Sequence, residues 1–136
     1  MVTRYAFVVL AWLFLACVLV QVFLAGLGVF AGSANFETHR GFGYLFGWLT
    51  VLMLIVALAG RLGRRYAGWS GVLLIGFALQ SVFVALRADL PAVAALHPVN
   101  AMVIFWVAQH VARASLSLLP GRSRPAAAIE PASVHP

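Results

Sequence analysis

The sequence predicts an all-α fold, namely a polytopic membrane protein built as an up-down four-helix transmembrane bundle with both termini cytoplasmic. The first observation is composition: of 136 residues, 64% are hydrophobic and only 9% are charged. The second is a mean hydropathy of +1.03, and the third is the division of the chain into four long apolar segments. A soluble domain normally has about 25% charged residues. The composition therefore indicates a chain whose solvent is the lipid bilayer.

The first predicted span covers residues 5–31 and begins directly after Arg4. A basic residue ahead of an apolar run is also typical of a signal peptide. This run is about twice as long as an ordinary signal core, which favours a retained helix. Helices are expected for all four spans, because lipid leaves no partner for unpaired backbone groups and no alternating strand pattern is present.

The second predicted span covers residues 36–60, and the polar stretch NFETHRGFGYLFG at residues 35–47 marks its start. Asn35 is expected to be the N-cap of this helix, because its side chain can accept a hydrogen bond from a free backbone N–H. Glu37 suits the positive end of the helix dipole. His39 then lies in the first turn, and its role is the main question that this stretch raises.

The third and fourth predicted spans cover residues 69–86 and 98–119, so that residues 1–119 form one transmembrane domain. Each span is close to the roughly 20 residues that cross the hydrocarbon core as a helix. Pro98 would stand at the first position of the fourth helix, where its missing N–H costs nothing. Residues 120–136 are rich in Pro, Ala and Ser and are expected to be a disordered cytoplasmic tail.

The distribution of arginines predicts the orientation. Seven of the nine basic residues, all of them arginines, fall on the side of the two termini and the middle loop. Short cytoplasmic loops collect basic residues, so both termini of this multi-pass protein are predicted to be cytoplasmic, and a bacterial source would place it in the inner membrane. The absence of lysine and the abundance of alanine, valine and glycine indicate a high-GC bacterial source. The net charge of +6 then reflects topology and affinity for anionic headgroups, with no sign of nucleic-acid binding.

A weak internal repeat relates the two halves of the chain. VLVQVFLAGLG aligns with FALQSVFVALR so that Gln21 corresponds to Gln80. Each glutamine precedes a histidine, His39 after 18 residues and His97 after 17. Both histidines then lie at the extracytoplasmic ends of the second and fourth helices, which are diagonal in an up-down bundle. The repeat predicts that the two side chains face each other.

Two neutral imidazoles that approach from opposite sides are what a six-coordinate heme requires. The hypothesis is therefore a heme b site near the extracytoplasmic face, with His39 and His97 as the iron ligands. Gly43 and Gly47 are predicted to lie beneath the heme ring, where small residues allow close approach. Arg40 and Arg87 are predicted to bind the propionates. Gln21 and Gln80 are predicted to orient a ligand or to bind a propionate or a quinone.

Three stretches also resemble a known group of proteins. VQVFLAGLGVF, THRGFGYLFG and ALHPVNAMVIF together resemble a family of small uncharacterised bacterial four-helix membrane proteins, over nearly everything before the tail. More distantly, the paired histidines resemble those of one four-helix half of heme A synthase and of membrane b-type cytochromes. That resemblance implies axial heme ligation for His39 and His97. It does not extend to synthase activity, because a second half and an equivalent catalytic glutamate are missing.

The alternatives give the same residues simpler roles. A histidine at a helix start can bind backbone groups at the membrane interface without any cofactor, and glycines spaced by four residues most often contact another helix. The second hypothesis is thus a cofactor-free accessory or assembly subunit, which docks to a membrane partner or to another copy of itself through Gly26, Gly28, Gly43 and Gly47. The sequence has no residue set typical of a hydrolase, and electron transfer is favoured over stand-alone catalysis.

Overall fold

The computed structural model describes residues 1–121, so the predicted tail lies almost wholly outside the described residues. Within that part the chain is helical and has no strand. The elements are α1 (Val2–Phe30), α2 (Asn35–Ala59), α3 (Arg64–Ala85), the short α4 (Pro91–Ala94), α5 (Leu96–Ser115) and a final 3-10 turn (Leu116–Leu118).

Four helical stretches in the described residues are long and apolar enough to cross a membrane: Val2–Phe30, Asn35–Ala59, Arg64–Ala85 and Pro91–Leu118. They confirm the predicted all-α class with four membrane-spanning helices. The third and fourth stretches begin earlier than predicted, because Arg64 and Pro91 already have helical backbone. Hydropathy predicts which residues lie in the lipid, but a helix can begin several residues before it enters the lipid. The sequence pattern therefore did not indicate helical backbone at Arg64 or Pro91.

The four long helices contact one another in the order α1, α2, α3, α5 and back to α1. Consecutive helices are therefore neighbours, whereas α2 and α5 lie diagonally across the bundle, as predicted. Two ends can be distinguished. The terminal end contains Met1, the loop at residues 60–63 and Leu118, and the histidine end contains the loop at residues 31–34 and the connection at residues 86–95.

The packed core lies towards the terminal end. Phe7 and Phe14 of α1 are fully buried, as are Met53 of α2 and Val111 of α5. Aromatic rings close the middle of the bundle, where Phe46 packs 5.1 Å from Phe77 between ring centroids. Between this layer and the histidine end, the buried residues of the four long helices are Val18, Gly28 and Gly43. The histidine end is thus the less densely packed part of the bundle.

The outer surface of the bundle is apolar. Large side chains such as Val9, Phe23, Leu45, Ile75 and Trp106 are each more than half exposed. A soluble protein seldom exposes contiguous apolar surface of this kind, whereas lipid chains solvate it without cost. The three fully buried hydroxyl groups, on Thr50, Ser70 and Ser115, each donate a hydrogen bond to a carbonyl of their own helix.

The two predictions for helix starts were wrong in detail. Asn35 is the first residue of α2 and not its cap: its side-chain Nδ2 donates a hydrogen bond of 3.0 Å to the carbonyl of Gly32. It stabilises the tight α1–α2 loop, in which Gly32 has a φ of +118° that glycine adopts readily. Pro98 is the third residue of α5, still within the first turn, where no intrahelical donor is lost.

Candidate functional site

His39 is held against α1 by its backbone contact with Gln21. The Nδ1 atom of His39 lies 3.0 Å from the carbonyl oxygen of Gln21. The side-chain Nε2 of Gln21 reaches back and donates to the carbonyl of His39 at 2.9 Å. Residues on two neighbouring helices are therefore joined by a reciprocal pair of hydrogen bonds, one turn inside the start of α2.

His97 is held against α3 in the corresponding way. Its Nδ1 lies 3.2 Å from the carbonyl oxygen of Gln80. The contact repeats the one between His39 and Gln21, with the same histidine atom, the same type of acceptor and the aligned glutamine. The structure therefore supports the predicted repeat and shows that it consists of two helix pairs, α1–α2 and α3–α5, that meet at the histidine end.

The two imidazoles meet across the bundle. Their ring centroids are 6.2 Å apart and the rings are inclined by 64°. Because α2 and α5 are diagonal, this contact bridges the two halves of the molecule at equal depth. The prediction that the histidines face each other is confirmed. The separation is also typical of packed aromatic rings, so the distance alone does not decide whether the pair is a ligand set or a packing contact.

The hydrogen bonds define which ring nitrogen has the proton. A backbone carbonyl can only accept, so the Nδ1 of each histidine must be the protonated nitrogen. In a neutral imidazole the Nε2 atom then has a free lone pair. The lone pair of His97 has no hydrogen-bond partner in the described part of the chain, whereas that of His39 faces the Gln21 amide nitrogen at 3.3 Å.

The two glutamine side chains differ although their backbones are equivalent. The Oε1 atom of Gln80 accepts a hydrogen bond of 2.8 Å from Asn100. The Oε1 atom of Gln21 is buried and has no hydrogen-bond partner among residues 1–121. A buried acceptor without a hydrogen bond destabilises the folded state by about 1–3 kcal/mol. A water molecule or a ligand that donates a hydrogen bond to this oxygen would remove that cost.

Asn100 was not singled out from the sequence. Its Nδ2 donates to the carbonyl of Gly76 and to Gln80 Oε1, both at 2.8 Å, and so it joins α5 to α3 directly below His97. Its signal in the sequence was an amide inside an apolar span, three residues after His97 and on the same helical face. The equivalent place in the other half is Phe42, which explains why the repeat did not indicate it.

The two glycines predicted to lie beneath a heme contact side chains of the chain itself. A Cβ atom on Gly43 would meet Gln21 Nε2 at 2.8 Å, and one on Gly47 would meet the Phe77 ring at 2.5 Å. Each glycine thus lets a neighbouring helix approach closely. A porphyrin edge would reach either backbone only after Gln21 or Phe77 changed its rotamer.

The two predicted propionate partners lie at the histidine end and are exposed. Arg40 follows His39 directly and forms an ion pair with Glu37 at 2.6 Å. Arg87 lies in the turn after α3 and donates to the carbonyl of Val84 at 3.1 Å. Exposed contacts of this kind contribute little to stability. Either guanidinium group could therefore exchange its present partner for another anion at a small cost in free energy.

The site has two metal-ligating side chains and no more. No group of three or more His, Cys, Asp or Glu side chains comes together within residues 1–121, so this part of the chain provides no structural zinc site, which takes four protein ligands. A heme supplies its own equatorial nitrogens and needs only two axial ligands from the protein. His110 lies far from this site and packs against Trp69 of α3, with 5.0 Å between ring centroids.

Comparison with known proteins finds one family. A family model described as a family of unknown function (DUF6220) matches residues 21–87, just under half of the chain. The matched segment includes Gln21, His39 and Gln80 and ends before His97. None of the curated proteins and none of the solved structures matches the chain. These comparisons thus agree with the predicted likeness to a family without known function, and they add no support for one to heme A synthase or b-type cytochromes.

Proposed function

We propose that the protein is a small membrane cytochrome of the b type, in which His39 and His97 ligate one heme at the histidine end of the bundle. The observation that carries this proposal is the paired histidine geometry. Both rings meet at the centre of the bundle, and both donate Nδ1–H to the backbone carbonyl of an aligned glutamine. A hydrogen bond from the second ring nitrogen is the usual way in which proteins orient a metal-ligating histidine.

The donor set fits the group. Two imidazoles that bind one metal ion from opposite sides, through bonds of about 2 Å each, have ring centroids about 6 Å apart. The observed separation is 6.2 Å. A heme bound there would supply one-electron redox chemistry, and the chain would supply two imidazole ligands of defined tautomer.

The remaining residues of the site have assigned tasks in this proposal. Arg40 and Arg87 bind the propionates near water, since each has only an exposed, exchangeable partner. The unpartnered Oε1 of Gln21 accepts a hydrogen bond from a water molecule or from the hydroxyl group of a quinol. The protein then transfers electrons between a quinone and a partner protein in the membrane.

The proposal includes a location and an orientation. Four apolar spans support a membrane protein. The loop at residues 60–63 and the adjoining helix ends contain Arg61, Arg64 and Arg65, whereas Glu37 and Asp89 lie at the histidine end. By the positive-inside rule the terminal end faces the cytoplasm and the heme lies near the outer face of a bacterial inner membrane.

An absorption spectrum of the purified protein tests the proposal. The chain is expressed with ample heme in five forms: unchanged, His39→Ala, His97→Ala, His110→Ala and the His39→Ala/His97→Ala double variant. A Soret band that is lost in the first two variants and retained in His110→Ala is the expected result. A colourless unchanged protein that is folded and monodisperse, or a band that survives in the His39→Ala/His97→Ala double variant, would overturn it.

The competing function is a cofactor-free accessory or assembly subunit. Of the four glycines predicted as its docking surface, Gly28, Gly43 and Gly47 contact side chains within the bundle, and only Gly26 of these four has open space beside it. These contacts weaken the case for the four glycines as one docking surface. Native purification separates the two functions, because an accessory subunit copurifies with a stoichiometric membrane partner and remains colourless after heme supplementation.

A further inference from the structure

A groove on the terminal end of the bundle lies between the start of α3 and the last turns of α5. It has a volume of about 400 Å³ and is lined by cationic, polar and aromatic side chains. We call it the arginine groove. Its lining residues are Arg65, Trp106, Gln109, His110, Arg113 and Ala114.

The charge in the arginine groove is not compensated by the described residues. Arg65 and Arg113 are both exposed, and neither side chain forms an ion pair or a hydrogen bond within residues 1–121. The acidic residues in that part of the chain, Glu37 and Asp89, both lie at the histidine end. Two guanidinium groups thus line one groove without an anionic partner from the described chain.

The walls of the groove are held in place by contacts between α3 and α5. The hydroxyl group of Tyr66, the neighbour of Arg65, donates a hydrogen bond of 3.1 Å to the carbonyl of Ala114 and lies 3.0 Å from the Oγ of Ser117. The His110 ring packs between Trp69 and Trp106, with centroid distances of 5.0 and 6.2 Å. The backbone positions of Arg65 and Arg113 are therefore defined by the packing of α3 against α5 and not by loop conformation.

Two further features favour an anion with an apolar tail. The first N–H groups of α3 have no side-chain cap, which adds partial positive charge beside Arg65. Beyond the groove, the same face of α5 continues towards the histidine end as an exposed apolar surface of Trp106, Val103 and Met102, which are exposed to 61%, 52% and 73%. Aromatic residues at such a boundary are typical of the membrane interface.

We infer that the arginine groove binds the phosphate ester of an anionic phospholipid. Arg65 and Arg113 donate hydrogen bonds to the phosphate oxygens, Gln109 and His110 contact the headgroup, and the acyl chains lie along Trp106 and Val103. Arginine is well suited to this role because its planar guanidinium group binds two phosphate oxygens at once. The inference is independent of the heme, which lies at the opposite end of the bundle.

Native mass spectrometry of the full chain in a neutral detergent tests the inference. Dioleoylphosphatidylglycerol and dioleoylphosphatidylcholine are titrated separately at about 0.15 M ionic strength, where diffuse attraction is screened beyond about 8 Å. The unchanged protein is expected to prefer the anionic lipid. Arg65→Gln and Arg113→Gln should each weaken its binding about tenfold, as expected for loss of a charge-assisted phosphate contact.

Arg64→Gln is the matched control, because it removes the same charge from the adjacent residue, which does not line the groove. It should weaken binding by less than about twofold, because about 0.15 M salt screens a charge that does not contact the bound phosphate. Arg65→Lys and Arg113→Lys check folding and retain charge, and they should bind with intermediate affinity. Equal losses in the Arg64, Arg65 and Arg113 variants would overturn the inference, as would equal affinity of the unchanged protein for the two lipids. If millimolar inorganic phosphate displaced the anionic lipid, the result would contradict a lipid as the bound molecule and would assign the groove to free phosphate.

Discussion

The Nδ1 atom of His39 lies 3.0 Å from the backbone carbonyl oxygen of Gln21 on the neighbouring helix. The contact is repeated between His97 and Gln80 at 3.2 Å. A backbone acceptor does not depend on the side chain of the residue that contributes it. The orientation of the two imidazoles is therefore built into the packing of each helix pair, and the glutamine side chains are left for other tasks.

This relationship predicts the tautomer of both histidines. His39 and His97 should be neutral Nδ1–H imidazoles when the ring is uncharged, because each Nδ1 faces an acceptor that has no hydrogen of its own. Nitrogen-15 NMR of imidazole-labelled protein distinguishes the two tautomers. His110, which packs between tryptophans and has no hydrogen bond in the described residues, is the internal comparison. Nε2–H tautomers at His39 and His97 would contradict the geometry on which heme ligation is proposed.

Gly47 should not tolerate a side chain. A methyl group at Gly47 would lie 2.5 Å from the Phe77 ring, so Gly47→Ala is expected to destabilise the fold by about 1–3 kcal/mol through overpacking. Unfolding by sodium dodecyl sulfate in mixed micelles measures the change. Gly41→Ala is the matched control in the same helix: it has open space and should stabilise by up to about 1 kcal/mol through helix propensity. Equal effects at the two positions would show that Phe77 does not pack on Gly47.

Gly43 and Gln21 should be energetically coupled. Gly43→Ala places a methyl group 2.8 Å from Gln21 Nε2, and displacement of this amide breaks its bond to the His39 carbonyl. The single change should cost about 1–2 kcal/mol. In the Gly43→Ala/Gln21→Ala double variant the glutamine side chain is absent, so the new methyl group meets no clash. The double variant should therefore lose about 1 kcal/mol less stability than the sum of the two single variants. Additive losses in the same mixed-micelle unfolding measurement would exclude the contact.

Asn100 should contribute to stability through its two hydrogen bonds. Asn100→Leu removes both donors and leaves Gln80 Oε1 without its partner, which is expected to cost about 2–3 kcal/mol. Gln80→Leu added to Asn100→Leu should recover part of this loss, because no unsatisfied acceptor then remains. Thermal unfolding in detergent, followed by circular dichroism, measures both. Val99 precedes Asn100 and is exposed. Val99→Leu therefore serves as a control and should change stability by less than about 0.5 kcal/mol.

Sequence reasoning described the site only in part, and the reason is visible in the glycines. The spacing of Gly43 and Gly47 correctly indicated a close approach on one face of α2. Whether the approaching object is a porphyrin, a helix or a single side chain depends on how α1 and α3 are rotated about their axes. That rotation determines whether Gln21 and Phe77 point at α2, and no local pattern in the sequence records it.

The sequence by itself determined the membrane-spanning class, the four apolar segments and the equal depth of His39 and His97. These follow from hydropathy and from the alternation of spans and loops, which are sums over neighbouring residues. Only the tertiary structure decided that backbone carbonyls orient the histidines, that Asn100 joins α5 to α3, and that Arg65 and Arg113 share one groove. Each of these depends on the relative rotation and offset of packed helices, which is set by contacts between residues far apart in the chain.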